Sequence, residues 1–88
     1  ALAIKPKEAA FIDSMGWVLF RLEKLEEAVK YLRQALDLFP NDEVAAHLGE
    51  VLWNLGEKLE AGQVWEKALE LKPDSEILKQ VINRFSGR

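Results

Sequence analysis

Displaced by 33 positions, the chain superposes on itself. Gly16 falls on Gly49, Ala28 on Ala61, Leu32 on Trp65, Ala35 on Ala68 and Pro40 on Pro73. The flanks agree as well. Met15-Gly16-Trp17-Val18-Leu19 lies over Leu48-Gly49-Glu50-Val51-Leu52, and Tyr31-Leu32-Arg33-Gln34-Ala35-Leu36 over Val64-Trp65-Glu66-Lys67-Ala68-Leu69. Small, large, small and proline recur in one register, which is the mark of a repeat architecture. Each unit of such a chain buries its apolar face against the next, so 88 residues suffice where a lone globular core is marginal.

Inside each unit the apolar residues step by three and four: Ile12, Met15, Leu19 and Leu22, then Ala28, Leu32, Ala35 and Leu36. That is the stripe of an amphipathic helix. The spacing predicts helices near residues 8–21, 25–38, 42–55 and 58–71. Asn41-Asp42 and Asp74-Ser75 supply side-chain oxygens to cap the helices that follow. Pro40 and Pro73 end the helices that precede them, because proline lacks an N–H and restricts its predecessor. Gly16, Gly49, Ala28, Ala35, Ala61 and Ala68 let paired helices approach closely, with Leu32 and Trp65 filling the space between. A bulky residue at any of these small sites is expected to overpack the contact, at a cost of about 1–3 kcal/mol. Gly56 suits a left-handed helix stop, and Glu23, at the equivalent position, is expected to adopt the same conformation at some backbone cost.

This pattern resembles the tetratricopeptide repeat over nearly the whole chain. Met15-Gly16, Leu19, Ala28, Leu32, Ala35 and Pro40 carry the likeness in one copy, and Leu48-Gly49, Leu52, Ala61, Trp65, Ala68 and Pro73 in the other. There are departures. Ile12 and Ala45 stand where the family has an early tryptophan, and Pro40 to Gly49 is one step shorter than Pro6 to Gly16. The resemblance implies an all-α fold, an α-solenoid of antiparallel helix pairs, with units at 7–41 and 42–74 and a function in binding protein rather than in catalysis.

Ala1-Leu2-Ala3-Ile4-Lys5-Pro6 lies over Ala35-Leu36-Asp37-Leu38-Phe39-Pro40. Residues 1–6 therefore read as the remnant of a preceding unit, and the chain as a piece of a longer array. At the other end Ile77, Leu78, Val81, Ile82 and Phe85 form the stripe of one more helix. Ile82 stands where Gly16 and Gly49 stood. Residues 75–88 are accordingly expected to be a C-terminal capping helix and tail that closes the stack.

The chain carries 12 basic and 15 acidic residues, a formal charge of -3, without any basic block; nucleic acid is not the expected partner. It has no cysteine, which removes disulfides and thiolate chemistry. No apolar run approaches the ~20 residues of a membrane-spanning helix, so direct membrane insertion is not expected of this segment. His47 and Glu50 lie three apart on one helix but offer only two ligands, short of a metal site. Asp13 and Ser14 lack any second histidine to complete a nucleophilic system. Glu23, Glu26 and Glu27 read as a solvated face beside Lys24 and Lys30. No active site, metal or cofactor is expected.

In stacks that resemble this repeat, first helices line the concave side. The first-helix residues not committed to packing are Asp13, Trp17, Phe20 and Arg21 in one unit, and Ala46, Glu50, Trp53 and Asn54 in the next, with His47 beside them. These nine are the candidate partner-binding residues. Trp17, Phe20 and Trp53 form an aromatic face suited to an extended peptide or an inserted helix of another protein; the alternative is that the capping helix or a preceding unit covers some of them. Asp13 and Glu50 disfavour a groove that grips a C-terminal carboxylate. The stretches Phe11 to Leu22, Leu25 to Ala28 and Ala45 to Trp53 further resemble the C-terminal end of Gram-negative repeat lipoproteins. That likeness implies a periplasmic adaptor for envelope enzymes, anchored at the outer membrane in its full-length form. Two other readings stay open: a self-associating, solenoid-capping segment that forms a homo-oligomer, and an accessory domain of a multidomain enzyme.

Overall fold

A computed structural model describes residues 6–86. Of the expected remnant at residues 1–6, residues 1–5 lie outside the described part and Pro6 is instead the first residue of a helix; the last two residues of the tail also lie outside it. Five helices follow one another: α1 (Pro6–Arg21), α2 (Leu25–Leu38), α3 (Asp42–Asn54), α4 (Lys58–Leu71) and α5 (Glu76–Ser86). The first four match the helices read from the spacing to within two residues at each end. No strand occurs among the described residues. The protein is an all-α stack in which α1 packs on α2, α2 on α3, α3 on α4, and α5 on both α3 and α4.

The two turns within units are built alike. After α1, the Glu23 N–H donates to the Phe20 carbonyl at 3.0 Å and the Lys24 N–H to Leu19 at 2.8 Å. After α3, Gly56 and Glu57 repeat this pair of bonds to Trp53 and Leu52 at 3.0 and 2.9 Å. This is the Schellman stop, whose penultimate residue must turn left-handed. Gly56 does so at φ 89° and Glu23 at φ 64°. Glutamate pays a steric cost there that glycine avoids. Glu23→Gly is therefore expected to leave Tm unchanged or raise it, by up to about 1 kcal/mol of stability; a clear fall in a thermal melt would contradict the assignment.

Proline punctuation also holds. Helices α2 and α4 stop two residues short of Pro40 and Pro73, leaving Phe39 extended at φ -149° and Lys72 outside the helical region at φ -142°. At the start of α3, the Asn41 side chain accepts from the N–H groups of Glu43 at 2.7 Å and Val44 at 3.4 Å. Of Asp74-Ser75 the serine does the capping: Ser75 Oγ accepts from the Leu78 N–H at 3.2 Å.

The core runs along α3, which is flanked by α2, α4 and α5. Val44, Ala45, Ala46, Leu48, Gly49, Val51 and Leu52 are all buried on it, so this helix is apolar on nearly every side. Ala28, Leu32 and Ala35 from α2, Ala61 and Trp65 from α4, and Leu78 and Val81 from α5 complete the interior. The small residues sit where close approach demands them. A Cβ on Gly16 would stand 2.8 Å from Leu32 Cγ, and one on Gly49 only 1.9 Å from Trp65 Nε1.

Helix α5 is tied to the stack at the residue that caps its start. Besides capping its own helix, the Ser75 hydroxyl donates to Asp42 Oδ2 at 2.6 Å, and Lys72 Nζ lies 3.8 Å from the same oxygen. The Ser75 hydrogen bond, more than Lys72 and the nearby backbone N–H groups, holds the Asp42 carboxyl below the usual carboxylate range, against an opposing effect of burial. A lowered folded-state pKa means that ionised Asp42 stabilises the fold at neutral pH. This contribution fades once pH drops below about 4, the ordinary aspartate value, and through the lowered one. Ser75→Ala is expected to cost about 1 kcal/mol of capping at pH 7 and to show a shallower loss of Tm on acidification below pH 4 than the parent chain. Parallel acid profiles for the two would show that Ser75 does not hold Asp42.

Candidate functional site

Helices α1, α3 and α5 border a groove of about 430 Å³ lined by Trp17, Ala46, His47, Glu50, Ile77, Gln80, Val81 and Arg84. Four of the nine residues picked out from the sequence, Trp17, Ala46, His47 and Glu50, meet here. The other five are placed differently.

Asp13 is buried at 9% exposure and does not line the groove. It lies behind the groove wall, where its Oδ1 is 2.9 Å from His47 Nδ1. The imidazole is also fixed on its face, because Trp17 stacks on it at 4.2 Å between centroids with 24° between planes. A buried carboxylate on α1 and an aromatic one turn further along thus hold one histidine of α3 in a set orientation. Phe20 is half-buried, 4.8 Å from Trp17, and packs against the core.

Trp53 belongs to a second aromatic group. It stacks on Trp65 at 5.9 Å and meets Phe85 of α5 at 5.4 Å, with Trp65 and Phe85 themselves 5.7 Å apart. Lys58 Nζ stands 5.1 Å from the Trp53 ring centroid. The expected continuous aromatic face is therefore divided: Trp17 lines the groove, while Trp53 is half-buried between α4 and α5. The reason is the fifth helix, whose Phe85 follows the apolar register and takes one side of the Trp53 ring. Arg21 and Asn54 are exposed near the C-terminal ends of their helices. The Asn54 side chain turns back to donate to the Glu50 carbonyl at 2.8 Å.

Half of the groove comes from α5, expected from its sequence only to cap the stack. The signal was present in the repeat register: a 33-residue step carries His47 onto Gln80, so α5 stands as a third first-helix and brings its own groove residues. Arg84 crosses the groove to Glu50, Nη2 to Oε1 at 2.9 Å. Ile77 and Val81 supply apolar wall, and Gln80 is exposed with an amide that both donates and accepts.

A second hollow, about 460 Å³, lies between α2, α3 and α4 and is lined chiefly by aliphatic residues, among them Leu36, Val64, Ala68 and Leu71. None of the nine candidate residues borders it. Its Arg33 is engaged by Glu60 across α2 and α4. The groove of the first helices is the better site despite being slightly smaller, because it combines apolar wall, a half-buried aromatic and convergent polar groups. Among the described residues no group of three or more His, Cys, Asp or Glu side chains is placed to hold a metal ion, and no helix is long and apolar enough to cross a membrane.

Paired antiparallel helices in a repeated register, with a groove along the first helices, define a helical-repeat interaction module. Family comparison gives the class its name. Residues 9–42 and 43–75 each match a tetratricopeptide repeat model, and the chain belongs to the tetratricopeptide repeat family, whose repeats are non-catalytic scaffolds that bind protein. Among its relatives, the TPR repeat-containing protein PA4667 of Pseudomonas aeruginosa is 48% identical over 84 residues, covering 96% of this chain and 14% of that protein. Protein arginine N-methyltransferase 9 of Homo sapiens is 37% identical over 83 residues, covering 85% of this chain and 10% of that protein. Its Mus musculus counterpart is 36% identical over 70 residues, covering 78% and 8%. The chain thus spans between 8% and 14% of the length of these relatives.

Proposed function

We propose that this chain binds a segment of another protein, in extended form, along the groove between α1, α3 and α5. One observation carries the reading: the groove sets a half-buried indole, Trp17, and the apolar Ile77 and Val81 beside hydrogen-bonding groups on His47 and Gln80. Apolar wall supplies affinity, and spaced polar groups supply register. Glu50 and Arg84 neutralise one another, so the groove asks for no strongly charged ligand.

Selection of a random peptide library on the chain tests this. Enriched peptides are expected to lose about tenfold or more in affinity on Trp17→Ala and on Gln80→Ala, a loss of at least about 1.4 kcal/mol each. Leu59→Ala, at an exposed leucine on α4, is expected to change nothing. Circular dichroism would establish that each variant remains folded. Equal binding by all three variants would place the site elsewhere. Trp53→Ala is a poor probe, because Trp53 is packed on Trp65 and Phe85.

In a longer protein we propose the module as part of an outer-membrane-anchored periplasmic adaptor, a reading supported by the resemblance of Phe11 to Leu22 and Ala45 to Trp53 to such lipoproteins. Recovery of the full-length protein in the cytosolic fraction would overturn it. A second reading, a repeat module attached to an enzyme, is favoured by the match to the human protein named arginine N-methyltransferase 9. The sequence flanking these 88 residues decides between the two.

A further inference from the structure

Buried Asp13 pairs with half-buried His47, which lines the proposed binding groove. An ionised carboxylate can only accept hydrogen bonds. Asp13 Oδ1 lies 2.9 Å from His47 Nδ1, so Nδ1 must carry the proton. In the neutral ring the other nitrogen, Nε2, is then left as an acceptor. Among the described residues Nε2 has no hydrogen-bond partner, while His47 lines the groove with its side chain 23% exposed. Trp17, stacked 4.2 Å from the ring, prevents the imidazole from turning away. Three other acceptors nearby already have partners. Glu50 Oε1 takes Arg84, the Glu50 carbonyl takes Asn54, and the Ala46 carbonyl takes the Trp65 indole at 3.4 Å.

We propose that His47 is a specificity-determining residue of the groove: Asp13 and Trp17 fix it so that Nε2 accepts one hydrogen bond from the bound segment. The favoured ligand is a peptide that presents a backbone N–H or a Ser or Thr hydroxyl at that point, next to an apolar side chain seated on Ile77 and Val81. This rests on the peptide-binding reading above and adds to it the polarity of one contact. A site built around a fixed acceptor discriminates sharply against a ligand lacking the donor, because its buried polar group is left unpaired.

The test has two arms. Nitrogen NMR of the imidazole in the free chain at neutral pH reads the tautomer without any ligand: a protonated Nδ1 and unprotonated Nε2 are expected, and a protonated Nε2 overturns the inference whether or not peptides bind. The second arm uses a peptide enriched on the chain, with each backbone amide N-methylated in turn and each Ser or Thr replaced by Ala. One such change is expected to weaken binding about tenfold in the parent chain. The same change should have little further effect in His47→Asn, whose shorter amide still donates to Asp13 but does not present Nε2. Loss of binding that is the same in both backgrounds for every change would overturn the proposal while leaving peptide binding intact. Failure to enrich any groove-binding peptide would sink both readings together.

Discussion

Gly49→Ala should be among the most damaging single-methyl additions available in this chain. The added Cβ would stand 1.9 Å from Trp65 Nε1 and 2.3 Å from Cε2. Those are atoms of a rigid, fully packed indole rather than the free end of a flexible side chain. Alanine gains about 1 kcal/mol over glycine in helix propensity, but overpacking of this kind costs up to about 3 kcal/mol or more and wins. The net loss of about 2 kcal/mol lowers Tm by roughly 8–16 °C for a domain of this size. Gly16→Ala, at the same repeat position, meets Leu32 Cγ and Cδ2 at 2.8 and 2.9 Å. Leu32 is fully buried and the Ala28 carbonyl stands 3.3 Å away, so this change also overpacks its contact, but the milder approach and the propensity gain should keep its net cost below that of Gly49→Ala. Trp65→Leu installs the residue of the first unit and should shrink the Gly49→Ala penalty; two residues in contact are expected to be non-additive in this way. Equal melting shifts for Gly16→Ala and Gly49→Ala would contradict the packing described.

Trp65→Ala carries the other large effect. The side chain is 2% exposed and joins three helices: it lies against Gly49 and Trp53 of α3 and Phe85 of α5, while its Nε1–H donates to the Ala46 carbonyl. Emptying that volume should cost about 3–5 kcal/mol, a large fraction of the about 5–15 kcal/mol that holds a domain folded. Stability in a stack is a sum of units and their interfaces, so the loss should be uneven. Amide exchange is expected to accelerate most in α4 and α5, with Leu32 and Ala28 keeping α1 and α2 paired. Uniform acceleration over all five helices would show that the chain opens as one unit.

The helices were legible in the sequence because their signals are local: three- and four-residue apolar steps, a proline two residues beyond each second helix, and Asn41 and Ser75 at the starts of α3 and α5. Glu23 could be placed in the left-handed region only because the repeat laid it over Gly56. The groove was legible in part. Register put Trp17, Ala46, His47 and Glu50 on the first helices, but no local pattern shows which aromatic a neighbouring helix will cover. Trp53 is taken up by Phe85, thirty-two positions later, and Asp13 is buried by its partner His47 on another helix. The unequal tolerance of Gly16 and Gly49 is likewise invisible in a register that treats them as one position, because it depends on whether leucine or tryptophan lies opposite.

The most direct measurement is a chemical-shift map of the isotope-labelled chain during titration with an enriched peptide. The Trp17 indole N–H, the Gln80 side-chain amide and the backbone of His47 and Val81 are expected to shift, while Arg33, Lys67 and Leu71 around the α2–α4 hollow stay in place. Shifts gathered on that hollow, with Trp17 and Gln80 unmoved, would contradict a binding site between the first helices.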